Sequence, residues 1–284
     1  MSSIVTRFAP SPTGLLHLGH AYSALVAWRA AREAGGRFLL RLEDIDRTRC
    51  HPQFAAAVLE DLAWLGLDWD GGVRVQSEHF GDYEAALDRL DVAGLIYPCF
   101  CTRAAIAAEI ARAGAAPHGD DGPLYPGTCR TLATEERLRR IAAGESFALR
   151  LDMAKALART GPLDWEEEGH GIIVAEPERL GDVVLARKDA PTSYHLAVTV
   201  DDALQGVTLV TRGADLFTAT HIHRLLQALL DLPTPRYRHH ALRTDASGHR
   251  YAKRDKALTL RALREAGRTP AEVRAMAEAG TKAG

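Results

Sequence analysis

The sequence predicts an α/β fold, a parallel sheet with crossover helices, and three observations carry that prediction. Strand-like and helix-like segments alternate through the first 97 residues. A loop rich in Pro, Gly, Ser and His falls directly between the first strand and the first helix, where open sheets of this class bind ligands. The composition is that of an ordinary globular chain: of 284 residues 46% are apolar and 25% charged, and 35 Lys+Arg against 37 Asp+Glu leave a formal net charge of −2. This excludes a disordered tail, a collagen-like chain and a disulfide scaffold, and gives no sign of bulk affinity for nucleic acid.

Taken in order, Ile4–Phe8 reads as the first strand and residues 9–14 as a loop. Leu18, Tyr22, Leu25, Val26 and Arg29 recur at helical spacing until Gly35-Gly36 stops the pattern. Arg37–Leu42 is the second strand, ending in Glu43-Asp44. Residues 52–65 and about 80–93 are amphipathic helices, and Leu95–Tyr97 is a further strand. The alternation breaks over 98–180, expected as an insertion. Strand-like runs return at Asp182–Ala186, Leu196–Val200 and Val207–Thr211, a helix covers roughly Thr218–Leu230, and residues 238–243 make a last short strand. Two short helices, split near Arg268-Thr269-Pro270, form the tail. The expected units are 1–97 with 181–243 as one discontinuous domain, 98–180 as the insertion, and 244–284 as a basic loop followed by helices. Phe8–Trp28 lacks Lys, Arg, Asp and Glu, yet Pro10, Pro12, Gly14, His17 and His20 argue against a membrane span. With no secretory leader, the expectation is a cytoplasmic protein.

Four constellations could carry chemistry. Between Ala9 and His20, the helix N-terminus and two imidazoles favour a phosphate ligand, with Gly19 letting it approach the backbone. Arg41–Asp46 is acid-rich at a strand end, where a carboxylate could hold a substrate ammonium; a solvated turn explains it equally well. Cys99, Cys101 and Cys129 supply three thiolates for zinc, which wants about four ligands. His118 or the Tyr125 phenol is the fourth, and by coordination chemistry alone His118 is the better candidate. Gly248–Lys256 is a basic loop suited to stabilising a leaving pyrophosphate. Tyr194 and Arg212 sit near strand ends, where Arg212 could fork onto a carboxylate. Each of these taken alone has an ordinary structural explanation.

In combination they resemble a family. Arg7-Phe8-Ala9-Pro10-Ser11-Pro12-Thr13-Gly14, then His17-Leu18-Gly19-His20, Leu42–Asp46 and Val210–Leu216 follow one another as in class I glutamyl- and glutaminyl-tRNA synthetases, from Arg7 to about Lys256. A core of this kind that ends soon afterwards and carries Cys-x-Cys and Tyr-x-x-x-Cys is similar to the branch that glutamylates queuosine in tRNA(Asp). The resemblance implies a Rossmann-like, doubly wound parallel sheet, a zinc-containing insertion, short C-terminal helices and no anticodon-binding domain. It implies ATP-dependent activation of L-glutamate and transfer to queuosine at the wobble position of tRNA(Asp), by a monomer using ATP with Mg²⁺ and one structural Zn²⁺.

Residue by residue, Arg7, Ala9, Ser11, Glu43, Tyr194 and Arg212 fall on the family's glutamate-binding positions. His17, Gly19 and His20 fall on its first ATP signature and Lys253 on the lysine of the second, so His17, His20 and Lys253 are the expected catalytic set. Cys99, Cys101, Tyr125 and Cys129 fall on its zinc ligands, which displaces His118. One departure is Arg250-Tyr251-Ala252-Lys253, where the first lysine of the signature is Arg and the serine is lost while charge is kept. The rival readings are a truncated glutamyl-tRNA synthetase charging a tRNA 3′ end, a non-catalytic binder of glutamate or adenylate, and a generic nucleotide-binding protein with a zinc module. Arg103, Arg130, Arg139 and Arg140 are candidates for RNA contact.

Overall fold

Alternation within two strands sets the two faces of the sheet. The computed structural model describes residues 3–112, 118–119, 122–244, 259–279 and 281–282. In it β1 (Val5–Phe8) and β2 (Arg37–Leu42) pair in parallel, Arg7 opposite Leu39. Phe8, Phe38, Leu40 and Leu42 share a core with α1 (Leu18–Glu33), whose Ala21, Ala24, Ala27 and Ala31 let the helix lie close to the strands. Val5 and Leu39 belong to a separate cluster, and by the two-residue period of a strand Arg7 and Arg41 share their face. The turn into β2 requires Gly36, because a Cβ there would lie 2.0 Å from the Ile4 carbonyl oxygen.

The chain continues through α2 (Pro52–Trp64), β3 (Arg74–Val75, parallel to β2), α3 (Phe80–Val92) and β4 (Ile96–Cys99). After α4 (Arg103–Arg112), the two-residue strands β5 (His118–Gly119) and β6 (Gly122–Pro123), and α5 (Thr134–Ala142), β7 (Ala148–Leu151) pairs antiparallel with β4. Then come α6 (Met153–Thr160), β8 (Asp164–Glu167), β9 (Gly171–Val174) and β10 (Val184–Ala186), the last antiparallel to β7. α7 (Tyr194–Leu204) leads to β11 (Leu209–Gly213), which adjoins β1 through a hydrogen bond from the Thr208 N–H to the Val5 carbonyl, 2.9 Å. After α8 (Ala219–Leu229), β12 (Arg236–His240) pairs in parallel with both β11 and β8, and β9 closes that edge antiparallel. β13 (Arg243–Thr244), α9 (Leu260–Glu265), α10 (Pro270–Ala279) and β14 (Thr281–Lys282) complete the described chain. α9 and α10 pack into the α1 core against β1 and β2, while α3, α6, α7 and α8 share a second core with β4, β7 and β10.

Two expectations are corrected. Leu196–Val200 is helix, the middle of α7, and not a strand. Leu196, Ala197, Val198 and Val200 are all buried, and an apolar run buried all round carries no period to separate helix from strand. The capping Ser193 hydroxyl, which accepts from the Leu196 N–H, was the local signal for helix. Second, residues 98–180 are not one unit apart from the sheet, since β8 joins it with Glu167 opposite Tyr237. Along β8, Trp165 and Glu167 are buried and Asp164 and Glu166 exposed, the alternation of a strand lying on a core. Among the described residues no helix is long and apolar enough to cross a membrane.

Candidate active site

The C-terminal ends of β1, β2 and β11 converge on a cleft of about 430 Å³. Arg7, Ala9, Ser11, Glu43, Tyr194 and Arg212 all line it, so six residues spread over some two hundred positions meet where parallel sheets place their ligands. His20, Ser23 and Asp215 line it as well. A smaller adjoining pocket of about 120 Å³ shares Ser11, Glu43 and Tyr194 and reaches Asp46, Cys50 and Arg187.

Beneath the cleft lies a closed set of charges. Asp202 on α7 accepts from Arg7 Nε at 2.9 Å and from Arg41 Nη1 at 2.8 Å. Arg7 Nη1 also donates to the Thr211 carbonyl, and the fully buried Arg41 donates through Nη2 to Glu43 Oε1 at 3.2 Å. Asp201 takes hydrogen bonds from Arg74, Gln76 and Tyr83. Burial would raise the Asp202 carboxyl, but the Arg7 and Arg41 guanidiniums outweigh it and hold it below the usual range. For Glu43 the balance is reversed: burial pushes its pKa up against the pull of Arg41 and Arg7. A ligand cation beside Glu43 would pull its pKa back down.

Arg212 is held differently. Its Nε donates to His239 Nε2 at 3.1 Å, Nη2 to Thr220 Oγ1 at 2.7 Å, and Nη1 to Tyr194 Oη at 3.3 Å, with His223 Nδ1 3.0 Å from Nη1. All four partners are uncharged, and no carboxylate among the described residues lies within 4 Å of this guanidinium. The cleft therefore contains a buried cation whose immediate surroundings are neutral, which suits a ligand carboxylate. Burial drives the surrounding histidines below their ordinary pKa: His195 to about 4, His223 well below its usual value, and His239 and His240 downward.

The sign of the resulting pH dependence follows from linkage. Unfolded histidines protonate near pH 6.5, whereas these stay neutral in the fold. As pH falls from about 6.5 toward 4, the unfolded chain gains protons that the folded chain refuses. Urea midpoints are thus expected to be level between pH 7 and 8 with respect to these groups and to fall steadily below 6.5; a midpoint higher at pH 5 than at 7.5 would contradict this.

The His17-Leu18-Gly19-His20 motif caps α1. His17 Nδ1 accepts from the Gly19 N–H at 3.1 Å and His20 Nδ1 from the His17 N–H at 3.2 Å, with the rings 3.8 Å apart. The Gly19 N–H is therefore already used within the turn. His17 bridges Thr259, and the Leu260 N–H reaches the Leu16 carbonyl, so the chain re-enters beside this motif six positions after Lys253. Lys253 itself, with Arg250, lies outside the described residues.

A second centre lies apart from the cleft. The sulfurs of Cys99, Cys101 and Cys129 fall within 4.8 Å of one another, Cys101 and Cys129 at 3.5 Å. Tyr125 Oη is 3.6 Å from Cys101 Sγ and accepts from the Cys129 N–H at 2.8 Å. Three thiols this close can hold a metal ion, and the spacing suits the roughly 2.3 Å bonds of tetrahedral thiolate zinc. The side chain of His118 lies outside the described set. Of the RNA candidates, Arg130 pairs with Asp182, Arg139 with Glu136 and Arg140 with Glu145, and the side chain of Arg103 lies outside the described set.

With this geometry in view, a scan against protein families matches residues 3–280 to the catalytic domain of class I tRNA synthetases for Glu and Gln. The chain belongs to that family. Curated relatives include the Glutamyl-Q tRNA(Asp) synthetase of Rhodobacter capsulatus, 52% identical over 95% of this chain and 98% of the relative. That of Symbiobacterium thermophilum is 45% identical over 94% and 83%. Among solved structures, a glutamate tRNA ligase from Elizabethkingia meningosepticum in complex with its amino acid superposes with a TM-score of 0.75 at 26% identity, covering 89% of this chain and 52% of that one. The class I synthetase fold and a ligase of this family are thereby shown, and the synthetase domain implies ATP binding. Reasoning from sequence passed over Asp201, Asp202, Glu167, His223 and His239, and gave Arg41 no role of its own. The one visible signal was Asp201-Asp202 inside an otherwise apolar run.

Proposed function

We propose that the chain activates L-glutamate with ATP as the glutamyl-adenylate and transfers the glutamyl group to queuosine at the wobble position of tRNA(Asp). The observation that carries this reading is the presence in one cleft of two separate charges, the largely buried Glu43 carboxylate and the Arg212 guanidinium. A zwitterion with a side-chain carboxylate answers both: its ammonium to Glu43, its side chain to Arg212 and Tyr194, its α-carboxylate beside Arg7, Ala9 and Ser11. An α-carboxylate oxygen then attacks the α-phosphorus of ATP in line, and pyrophosphate leaves. Such a step asks for positioning and charge stabilisation more than for a protein base. His17, His20 and Lys253 take that role toward the phosphates, which arrive with Mg²⁺, while Gly19 gives them room at the start of α1. In the second step a queuosine hydroxyl attacks the adenylate carbonyl and AMP departs. The names of the two relatives given above support tRNA(Asp) as acceptor. We take the protein to work as a cytoplasmic monomer, with 1–97 and 181–243 together with β8 and β9 of the intervening segment as the catalytic part, the cysteine-bearing stretch at the start of 98–180 as the metal-bearing part and 244–284 as the signature loop and closing helices.

The experiment is glutamate-dependent ATP–pyrophosphate exchange without tRNA. Exchange with glutamate and none with glutamine or aspartate supports the reading; exchange that needs RNA would oppose an adenylate formed by the protein alone.

Cys99, Cys101, Tyr125 and Cys129 are the residues that would hold one zinc ion, with a structural task, since four protein ligands leave no open position. Cys129→Ser is expected to drop bound zinc from about one per chain to well below that, with earlier proteolysis within 98–130. Undiminished zinc in that variant would remove the assignment.

A further inference from the structure

We infer that Glu167, acting through His239, is the positioning residue that aims Arg212 at the substrate's side-chain carboxylate. This rests on the assignment of Arg212 to that carboxylate. Glu167 is almost wholly buried, on the β8 strand of the segment that sequence reasoning set apart from the catalytic sheet. Its Oε1 accepts from the His239 backbone N–H at 2.7 Å, and its Oε2 lies 2.8 Å from His239 Nδ1. The Trp165 indole N–H approaches the same Oε2 at 3.4 Å. Across the ring, two donors face His239 Nε2: Arg212 Nε at 3.1 Å and the Thr220 hydroxyl at 3.3 Å.

Those contacts fix the proton. An acid group accepts at Nδ1 and a guanidinium donates at Nε2, so the ring carries its hydrogen on Nδ1 and keeps Nε2 as an acceptor. A protonated ring, or the other tautomer, would set an N–H against the Arg212 N–H. Burial adds to this by lowering the pKa of His239. The carboxylate thereby stands one imidazole away from Arg212: near enough to set its orientation, and not in contact to take the place of a ligand carboxylate. On the other side of the guanidinium, His223 Nδ1 sits 3.0 Å from Nη1, and His223 Nε2 lies 3.3 Å from His195 Nδ1. The same logic gives His223 its hydrogen on Nε2. Arg212 is thus clamped by two imidazoles in opposite tautomers, and among the described residues only the His239 side is anchored by a carboxylate.

Glu167→Gln is the sharpest test because it keeps shape and burial. A glutamine has one acceptor oxygen and one donor amide, whereas position 167 faces three donors, the His239 N–H, its Nδ1–H and, at longer range, the Trp165 indole N–H. Either the backbone contact is lost or the ring is turned to the wrong tautomer. In glutamate-dependent exchange by the full chain, Glu167→Gln is expected to raise the KM for glutamate about 10- to 100-fold, with the KM for ATP unchanged and the preference for glutamate over glutamine reduced. Glu168→Gln, which removes the adjacent carboxylate just past β8, paired with Arg236 and Arg238 of β12, is expected to leave all three values unchanged. His239→Ala should repeat the glutamate-specific effect, which guards against one variant failing to fold. On the wild-type protein, the ¹⁵N shifts of His239 are expected to report a hydrogen on Nδ1. An unaltered glutamate KM in Glu167→Gln beside a raised one in Arg212→Ala would overturn this inference and leave the role of Arg212 standing. Unaltered glutamate binding in Arg212→Ala would overturn that role itself, and an Nε2–H tautomer in the wild type would overturn the relay.

Discussion

Arg212→Ala is expected to raise the glutamate KM in pyrophosphate exchange by roughly 30- to 5000-fold, the equivalent of about 2–5 kcal/mol, for loss of one partner in a buried, hydrogen-bonded charge pair. The range is wide because the alanine also leaves His239 Nε2 and the Thr220 hydroxyl without their guanidinium donor. Arg212→Lys is a useful companion. It returns the charge but cannot reproduce the fork that meets His239, His223, Tyr194 and Thr220 together, so it should recover only a small part of the loss. A change below about threefold in Arg212→Ala would mean that the substrate carboxylate is bound elsewhere.

Asp202→Ala is expected to act on the fold before it acts on the chemistry. Asp202 is the shared acceptor of Arg7 and Arg41, and Arg41 is fully buried. Removing one member of a buried ionic set costs about 3–5 kcal/mol, because the remaining charge keeps its desolvation cost and loses its partner. Against a total stability of about 5–15 kcal/mol, that is a large fraction. Urea unfolding should show the midpoint fall at constant slope, and whatever protein remains folded should bind glutamate poorly, since Arg7 lines the cleft. A loss under about 1 kcal/mol would show that Glu43 and Asp201 can neutralise the arginines by themselves.

How much of this could be read from the sequence depended on whether a residue acts locally. Glu43 and Arg212 were legible because each lies at or near the end of a strand within a recognisable run, and the topology of a parallel sheet brings strand ends together, whereas Arg7 was placed by resemblance. Cys99, Cys101 and Cys129 were legible because sulfur spacing is informative in itself. Tyr125 was placed by resemblance; coordination chemistry alone preferred His118. The charges that hold the cleft were not legible. Asp202 lies on the face of α7 toward Arg7 and Arg41, but α7 was first read in part as a strand, and register across a sheet is not visible in a single sequence. Glu167 was hidden for a related reason. It stands beside Glu166 and Glu168 in an acidic run that looks solvated, and only the pairing of β8 with β12 shows which of the three carboxylates is buried.

The most direct test of the central claim is transfer of radiolabelled glutamate to tRNA(Asp), prepared with and without queuosine. The account predicts transfer only to the queuosine-containing tRNA, with the label recovered in the anticodon-loop fragment after nuclease digestion. Label on the 3′-terminal fragment, or equal transfer to tRNA lacking queuosine, would contradict it.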